Sequence, residues 1–288
     1  MVRGRMLTLL FGSAMLVWGA APTEAVATRG LVEHGPAPRL ERPSQTTTAE
    51  VDELLELSPL RAQLEALAGG IHAQLREAHG ELDAHDRAVV DRVAARHFDS
   101  GILFARVRLA LGRNVDEARL AAALTWYRSP LGRRITRHEI TAFPTGRTEV
   151  ISPSDERVAL VQQLDERRGV SETALDVAMA LMRSLARVAD PLRPAHLRQS
   201  RDQLENQLTL ARIQGFAPIK IACLQDMLLA YAELTDAELA AYLGFLESPA
   251  GQWYTGAMNE ALVDAASVAA GLAAVDLVTL VPRLTESR

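Results

Sequence analysis

The chain has 288 residues, of which 48% are hydrophobic and 5% aromatic, and its formal net charge is −5. This length is enough for one large or two small domains, and the acidic balance argues against a nucleic-acid backbone as partner. The single cysteine, Cys223, excludes an internal disulfide and lies in an apolar run, so we expect it to be buried and unreactive.

The first 27 residues have the layout of a secretory signal peptide. Arg3 and Arg5 supply the basic start, residues 6–21 form an uncharged apolar run, and residues 25–27 offer a small–x–small cleavage site. A retained membrane anchor is the alternative, but the run is shorter than the ~20 residues that a span needs. We therefore expect export to the periplasm or the medium, with no transmembrane span after cleavage.

The rest of the chain divides into a polar arm and two units. Residues 28–46 carry three prolines and no apolar periodicity, which predicts a flexible arm. Helical periodicity then runs through residues 47–143 and again through residues 154–284, with a turn-rich linker at residues 144–153. The alanine- and leucine-rich composition favours helices, so the predicted fold is all-α, with two tandem multi-helix units.

Several helix boundaries are predicted from capping residues. Thr47 with Glu50 and Thr235 with Glu238 have capping-box spacing, and Asn114 with Glu117 is a weaker pair. Gly215 and Pro218 predict that one helix ends near residue 215 and that another begins near residue 218.

One stretch occurs twice and relates the two units. Residues 120–132 and 239–251 share a leucine- and alanine-rich helix, an aromatic residue, and then Ser-Pro-x-Gly. Serine before proline is extended and a good N-cap, so each copy predicts two helices joined by a sharp corner. The repeated residues, to which we assign a structural role, are Trp126, Ser129, Pro130, Gly132, Phe245, Ser248, Pro249 and Gly251.

The glycines of this motif have two interpretations. Gly132, with Arg133 and Arg134 beside it, could expose backbone N–H groups to an anion. However, the second copy has Gln252 and Trp253 in place of the arginines. We therefore favour close packing as the reason for both glycines.

The motif resembles a domain-of-unknown-function family of exported bacterial proteins. Residues 126–132 fit the family pattern best, and residues 245–251 are a plausible second copy. The resemblance covers about twenty residues per copy. It implies export and a helical fold, and it brings neither an assigned activity nor catalytic residues.

Three polar groups are candidates for chemistry, and none has an established spacing. A histidine- and carboxylate-rich segment between His72 and Asp86 could bind a divalent metal, but it lacks any known zinc signature. Residues 97–100 contain the residue types of a hydrolase triad, although adjacency in sequence does not supply triad geometry. His138 and Glu139 form a third pair, which is absent from the second copy. The sequence thus predicts no catalytic residue, no metal site and no cofactor.

Aromatic residues gather at both predicted corners. Trp126, Tyr127, Trp253 and Tyr254 could line a groove for a peptide, a lipid or a small molecule. Alternatively, they fill the core where helices cross, with their polar atoms bonded to neighbours. We favour the core interpretation and keep the groove as an alternative.

These observations favour a non-enzymatic exported protein that acts through protein contacts in the cell envelope. A small-molecule or lipid carrier with a groove between the units is the first alternative, and a metal-dependent enzyme is the second. The oligomeric state and the identity of the partner do not follow from the sequence.

Overall fold

The computed structural model describes residues 45–78, 84–113, 115–142, 153–190, 196 and 198–280. These residues form helices and no strand, which confirms the all-α prediction. The predicted signal peptide lies outside the described residues, as do the arm up to residue 44 and the linker up to residue 152. The helices are α1 (Gln45–Leu57), α2 (Leu60–Ala78), α3 (Ala84–His97), α4 (Ser100–Leu111), α5 (Glu117–Arg128), α6 (Pro130–Ala142), α7 (Asp155–Arg168), α8 (Val170–Ala189), α9 (Arg201–Ala230), α10 (Asp236–Glu247) and α11 (Pro249–Leu280).

The long C-terminal helix α11 is the centre of the packing. It runs along α8 and also contacts α3, α4, α5, α7 and α10. Its buried positions are mostly alanines, and small side chains allow neighbouring helices to come close. The buried alanines of α11 are Ala250, Ala261, Ala265, Ala266, Ala269, Ala270, Ala273 and Ala274.

Both predicted units contribute to one hydrophobic core. A single cluster of buried side chains includes Leu54 and Leu124 from the first unit together with Leu164 and Leu246 from the second. Helix α1 packs on α5, α7 packs on α10, and α11 joins the two groups. The hydrophobic core is therefore shared by the helices before the predicted linker and those after it.

Helix starts follow local chemistry, with two differences from the sequence-based expectations. The Thr235 capping box forms as expected. Asp116 caps α5, because its side chain accepts a hydrogen bond from the Arg119 backbone N–H, and the predicted cap Asn114 lies outside the described residues. Thr47 lies inside α1, where its hydroxyl donates to Oε1 of Glu117 at 2.7 Å.

The predicted break between residues 215 and 218 is wrong, because α9 is one helix of 30 residues. A Cβ at Gly215 would lie 3.6 Å from Cδ1 of Leu175, so this glycine sits where α8 packs closely on α9. Pro218 is on the exposed side of the helix. The contacts of α9 with α6, α7 and α8 stabilise the continuous helix. This stabilisation outweighs the local cost of a glycine and a proline inside a helix.

The two Ser-Pro corners have the same backbone geometry. Ser129 has φ −66° and ψ 154°, and Ser248 has φ −69° and ψ 158°. Each serine hydroxyl accepts a hydrogen bond from the backbone N–H three residues on, at 2.9 Å from Gly132 and at 3.1 Å from Gly251. These are the extended conformation and the side-chain cap predicted for a serine before proline.

Candidate functional site: a buried tyrosine, glutamate and arginine cluster

The two corners meet through their aromatic side chains. The ring of Trp126 stacks on that of Phe245, with centroids 4.6 Å apart and an interplanar angle of 2°. The Trp126 ring also stacks on Tyr242 at 5.8 Å. Offset stacking of this kind adds to the stability from area burial, so the aromatic residues of the motif join α5 to α10.

All four tyrosines of the chain lie beside this stack. Tyr127, Tyr231, Tyr242 and Tyr254 are buried, with exposed fractions between 1% and 8%. Tyr127 and Tyr254 have ring centroids 5.0 Å apart, and Tyr231 meets Tyr242 edge to face at 6.5 Å. A buried phenol hydroxyl needs a hydrogen-bond partner. In this cluster, charged side chains provide some of those partners.

Glu139 of α6 is the acceptor at the centre of the cluster. Its side chain is 4% exposed, and its Oε1 accepts from the hydroxyl of Tyr231 at 2.7 Å and from that of Tyr242 at 3.2 Å. Nη1 of Arg168 lies 2.7 Å from the same oxygen and donates to the Tyr231 hydroxyl at 2.6 Å. The four polar groups thus satisfy one another within the core.

Local structure positions Arg168 at the end of α7. Gly169 follows it with φ +64°, a left-handed conformation that glycine adopts readily, and the chain turns there into α8. The side-chain amide of Asn259, on α11, donates to the Arg168 carbonyl at 2.8 Å. The guanidinium therefore comes from a sharp turn whose backbone is bonded to the central helix.

The electrostatics of the cluster favour a charged arginine and neutral tyrosines. Burial is the largest single effect on the pKa of Arg168 and lowers it, but the Glu139 carboxylate and the neighbouring tyrosines together outweigh burial and hold the pKa well above its usual value. Burial raises the pKa of Tyr231 and Tyr242 well above the ordinary value, against the attraction of Arg168 for a phenolate. Burial also raises the pKa of Tyr127 and Tyr254.

This arrangement can stabilise architecture more readily than it can perform a reaction. Glu139 lies on α6, Arg168 on α7, Tyr231 at the end of α9 and Tyr242 on α10, so the network connects four helices. Its donors and acceptor are directed at one another, and the side chains of Glu139 and Arg168 are only 4% and 14% exposed. A largely buried network of mutually bonded polar groups rigidifies a core.

The residues predicted to line a groove contribute mainly to the core. Tyr127 and Tyr254 are 3% and 8% exposed, while Trp126 and Trp253 are partly buried against the same core. Ser129 and Ser248 of the motif lie at the two helix junctions.

Two clefts lie elsewhere on the molecule. One, of about 590 Å³, lies between α4, α8 and α11 and includes Asp176 and Asp264. Another, of about 460 Å³, lies between the end of α8 and the start of α9. No residue of the tyrosine cluster lines either cleft.

The other polar candidates do not converge. Nε2 of His97 lies 2.7 Å from Oδ2 of Asp276, whereas Asp99 caps α4 by accepting from the Ile102 N–H. The side chains of residues 97–100 therefore do not form a triad. Within the part of the chain that the structure describes, no group of three His, Cys, Asp or Glu side chains could hold a metal ion. Residues 79–83 of the histidine-rich segment lie outside that part.

Sequence patterns gave little weight to Glu139 and indicated neither Arg168 nor Tyr231 as a site residue. Glu139 and Arg168 lie in different helices, and the predicted linker separates them in sequence. No local spacing connects them. The available signal was compositional, since a chain with only four tyrosines carries three of them within residues 231–254.

We expect alkaline titration to show these tyrosines as one group. A raised pKa in the folded state means that stability is intact below the unfolded-state pKa near 10 and is lost as the pH rises toward the folded-state values. Tyrosinate absorbance at 295 nm should therefore be absent at pH 10 and appear cooperatively with unfolding, as followed by far-ultraviolet circular dichroism. A gradual titration near pH 10 in the folded protein would contradict the buried cluster. The chain denatured in urea is the control.

Comparison with protein families, curated proteins and solved structures finds no match for this chain. The resemblance to an exported family therefore stays a prediction. None of the helices in the described ranges is long and apolar enough to cross a membrane.

Proposed function

We propose that the chain is an exported, non-enzymatic scaffold that acts through protein contacts in the cell envelope. The observation that carries this proposal is the closed cluster around Glu139. The buried Glu139 carboxylate and the largely buried Arg168 guanidinium bond to each other and to tyrosine hydroxyls, and so connect helices on both sides of the predicted linker. Polar groups used in this way stabilise a rigid helical framework, and a rigid framework is what a contact-making protein needs.

The proposal includes a duplicated architecture. We infer that residues 47–143 and 154–284 are two copies of one helical unit that share a core. Two observations support this inference. The corners have matching serine caps, and Trp126 and Phe245, which occupy equivalent positions in the two copies, stack on each other. Contact between equivalent residues is expected when two similar units pair about an approximate two-fold axis.

Export follows from the layout of the first 27 residues and stays a proposal. Protein collected from the periplasm of its own cells should begin at Thr28, which Edman sequencing would detect. An uncleaved N-terminus on protein found in the cytoplasm would contradict it.

Native mass spectrometry of this periplasmic protein tests the scaffold proposal against its alternatives. We expect the mass of the bare polypeptide, or of an integral multiple of it, because a scaffold that acts through protein contacts carries no small-molecule ligand. Elemental analysis of the same sample should show no stoichiometric metal. A reproducible small-molecule mass excess would contradict the scaffold and support a carrier, and a stoichiometric metal would support an enzyme. Protein refolded from urea controls for ligands acquired during purification.

A further inference from the structure

The outer face of α9 is an exposed apolar stripe. Leu210, Ile213 and Ile221 are 53%, 68% and 58% exposed, which is unusual for large aliphatic side chains on one helix. Ala217 is exposed between them, and Leu224, which continues the line, is half-buried and packs partly against the hydrophobic core of its own chain. These five residues recur at helical spacings, so they form one line along the helix. We call this line the α9 stripe.

The α9 stripe is symmetric about its middle residue. From Leu210 through Ile213, Ala217, Ile221 and Leu224, the successive spacings are three, four, four and three residues. When two identical helices cross in opposite directions at Ala217, Leu210 of one comes level with Leu224 of the other. Ile213 likewise comes level with Ile221. This self-complementary pattern is what a two-fold interface between identical chains requires.

The charges near this face also bear on which partner it can bind. Between residues 206 and 225, the only charged side chains are Arg212 and Lys220. Nη2 of Arg212 lies 2.9 Å from Oε2 of Glu172, and Nζ of Lys220 lies 3.7 Å from Oε1 of Glu166, so both cations pair with carboxylates of their own chain. The stripe is therefore electrically neutral, and a second neutral stripe meets it without repulsion.

Other occupants fit this face less well. Helices that lie on membranes carry many lysines and arginines beside the apolar face, whereas residues 206–225 have only the two paired cations. A charged peptide would find no opposite charge on the stripe. A small side chain at Ala217, the crossing point, instead allows two helices to approach closely.

We propose that the α9 stripe binds a second copy of this chain, with the two α9 helices antiparallel and crossing at Ala217. The proposal deepens the scaffold function and rests on it, since it names the first partner of that scaffold. At a rise of about 1.5 Å per residue, the stripe is about 21 Å long. An interface built on one stripe of that length is small, and small interfaces are typical of weak, reversible complexes, so we expect a Kd on the order of 10 μM.

Sedimentation velocity over a wide concentration range measures the association directly. We expect the full exported chain to shift from monomer to dimer as its concentration rises through the micromolar range. Ile213→Asp should weaken the dimer by at least about tenfold, because it places a charge at the contact. Leu109→Asp is the matched control. Leu109 is 62% exposed on α4, away from the stripe, and its substitution should leave association within about twofold of the parent.

Cysteine cross-linking tests the crossing point. In a Cys223→Ser background, Ala217→Cys places two thiols next to the two-fold axis, within the ~7 Å Cα separation that a disulfide needs. We expect a disulfide-linked dimer under mild oxidation. Ala240→Cys, at an exposed position on α10, is the control and should cross-link much less.

The outcomes separate this inference from the scaffold function. A protein that stays monomeric up to about 1 mM, or equal cross-linking at residues 217 and 240, would overturn the α9 dimer. Dimerisation that Ile213→Asp and Leu109→Asp affect equally would overturn it as well. The scaffold function fails on a different result, a bound ligand or metal in native mass spectrometry.

Discussion

Replacing Gly132 by alanine is expected to destabilise the protein by about 3 kcal/mol or more. A Cβ at this position would lie 2.2 Å from the Trp126 carbonyl oxygen, far inside van der Waals contact. The obstacle is backbone of the preceding helix, which cannot move away as a flexible side chain would. The Gly251→Ala variant should behave alike, since its Cβ would lie 2.1 Å from the carbonyl oxygen of Phe245. Urea denaturation followed by circular dichroism measures the loss.

Two other glycines are matched controls for this experiment. Gly244 and Gly256 lie inside α10 and α11, and an added Cβ would meet nothing within 4 Å. Alanine at either position should stabilise the protein by about 0.5–1 kcal/mol, because it lowers the entropy cost of forming the helix. If Gly132→Ala were as stable as Gly244→Ala, close packing would not explain the motif glycine.

Removing one residue of the buried ion pair should destabilise the protein as much as Gly132→Ala does, or more. Arg168→Met leaves the Glu139 carboxylate, which is 4% exposed, without its cation. We expect a loss of about 3–5 kcal/mol, the usual cost of an uncompensated buried charge. Glu139→Met should cost a similar amount. The double variant should lose less than the sum of the two, because it leaves no isolated charge.

The neighbouring arginine provides a strict control for the ion pair. Arg167 pairs with Glu247 at 3.2 Å, but both side chains are about half exposed. Arg167→Met should therefore change the free energy of unfolding by less than about 1 kcal/mol. Tyr242→Phe removes one hydroxyl from the cluster and should cost about 1 kcal/mol. A loss below 1 kcal/mol for Arg168→Met would show that the buried pair does not stabilise the core.

The local parts of the fold could be predicted because their causes are local. Proline requires an extended residue before it, and serine in that conformation caps the next helix, so residues 129 and 248 are where the sequence placed them. The capping box at Thr235 follows from short-range spacing in the same way. Composition was enough to predict an all-α chain.

The errors arose where tertiary contacts outweigh local preference. Gly215 and Pro218 are helix-breaking residues by intrinsic propensity, yet α9 continues through both because three other helices support it. Thr47 has capping-box spacing with Glu50, but its hydroxyl bonds to Glu117, a residue far along the chain. Neither contact leaves a signal in the neighbouring sequence.

By itself, the sequence determined the helical class, the two Ser-Pro corners and the close packing at Gly132 and Gly251, because these depend on residues a few positions apart. Only the tertiary structure decided that Trp126 stacks on Phe245, that Glu139 meets Arg168 and that both halves share a core. Those contacts join residues 29 to 119 positions apart. Their partners are selected by the packing of whole helices, and helical periodicity shows which side of a helix is apolar but not which helix it meets.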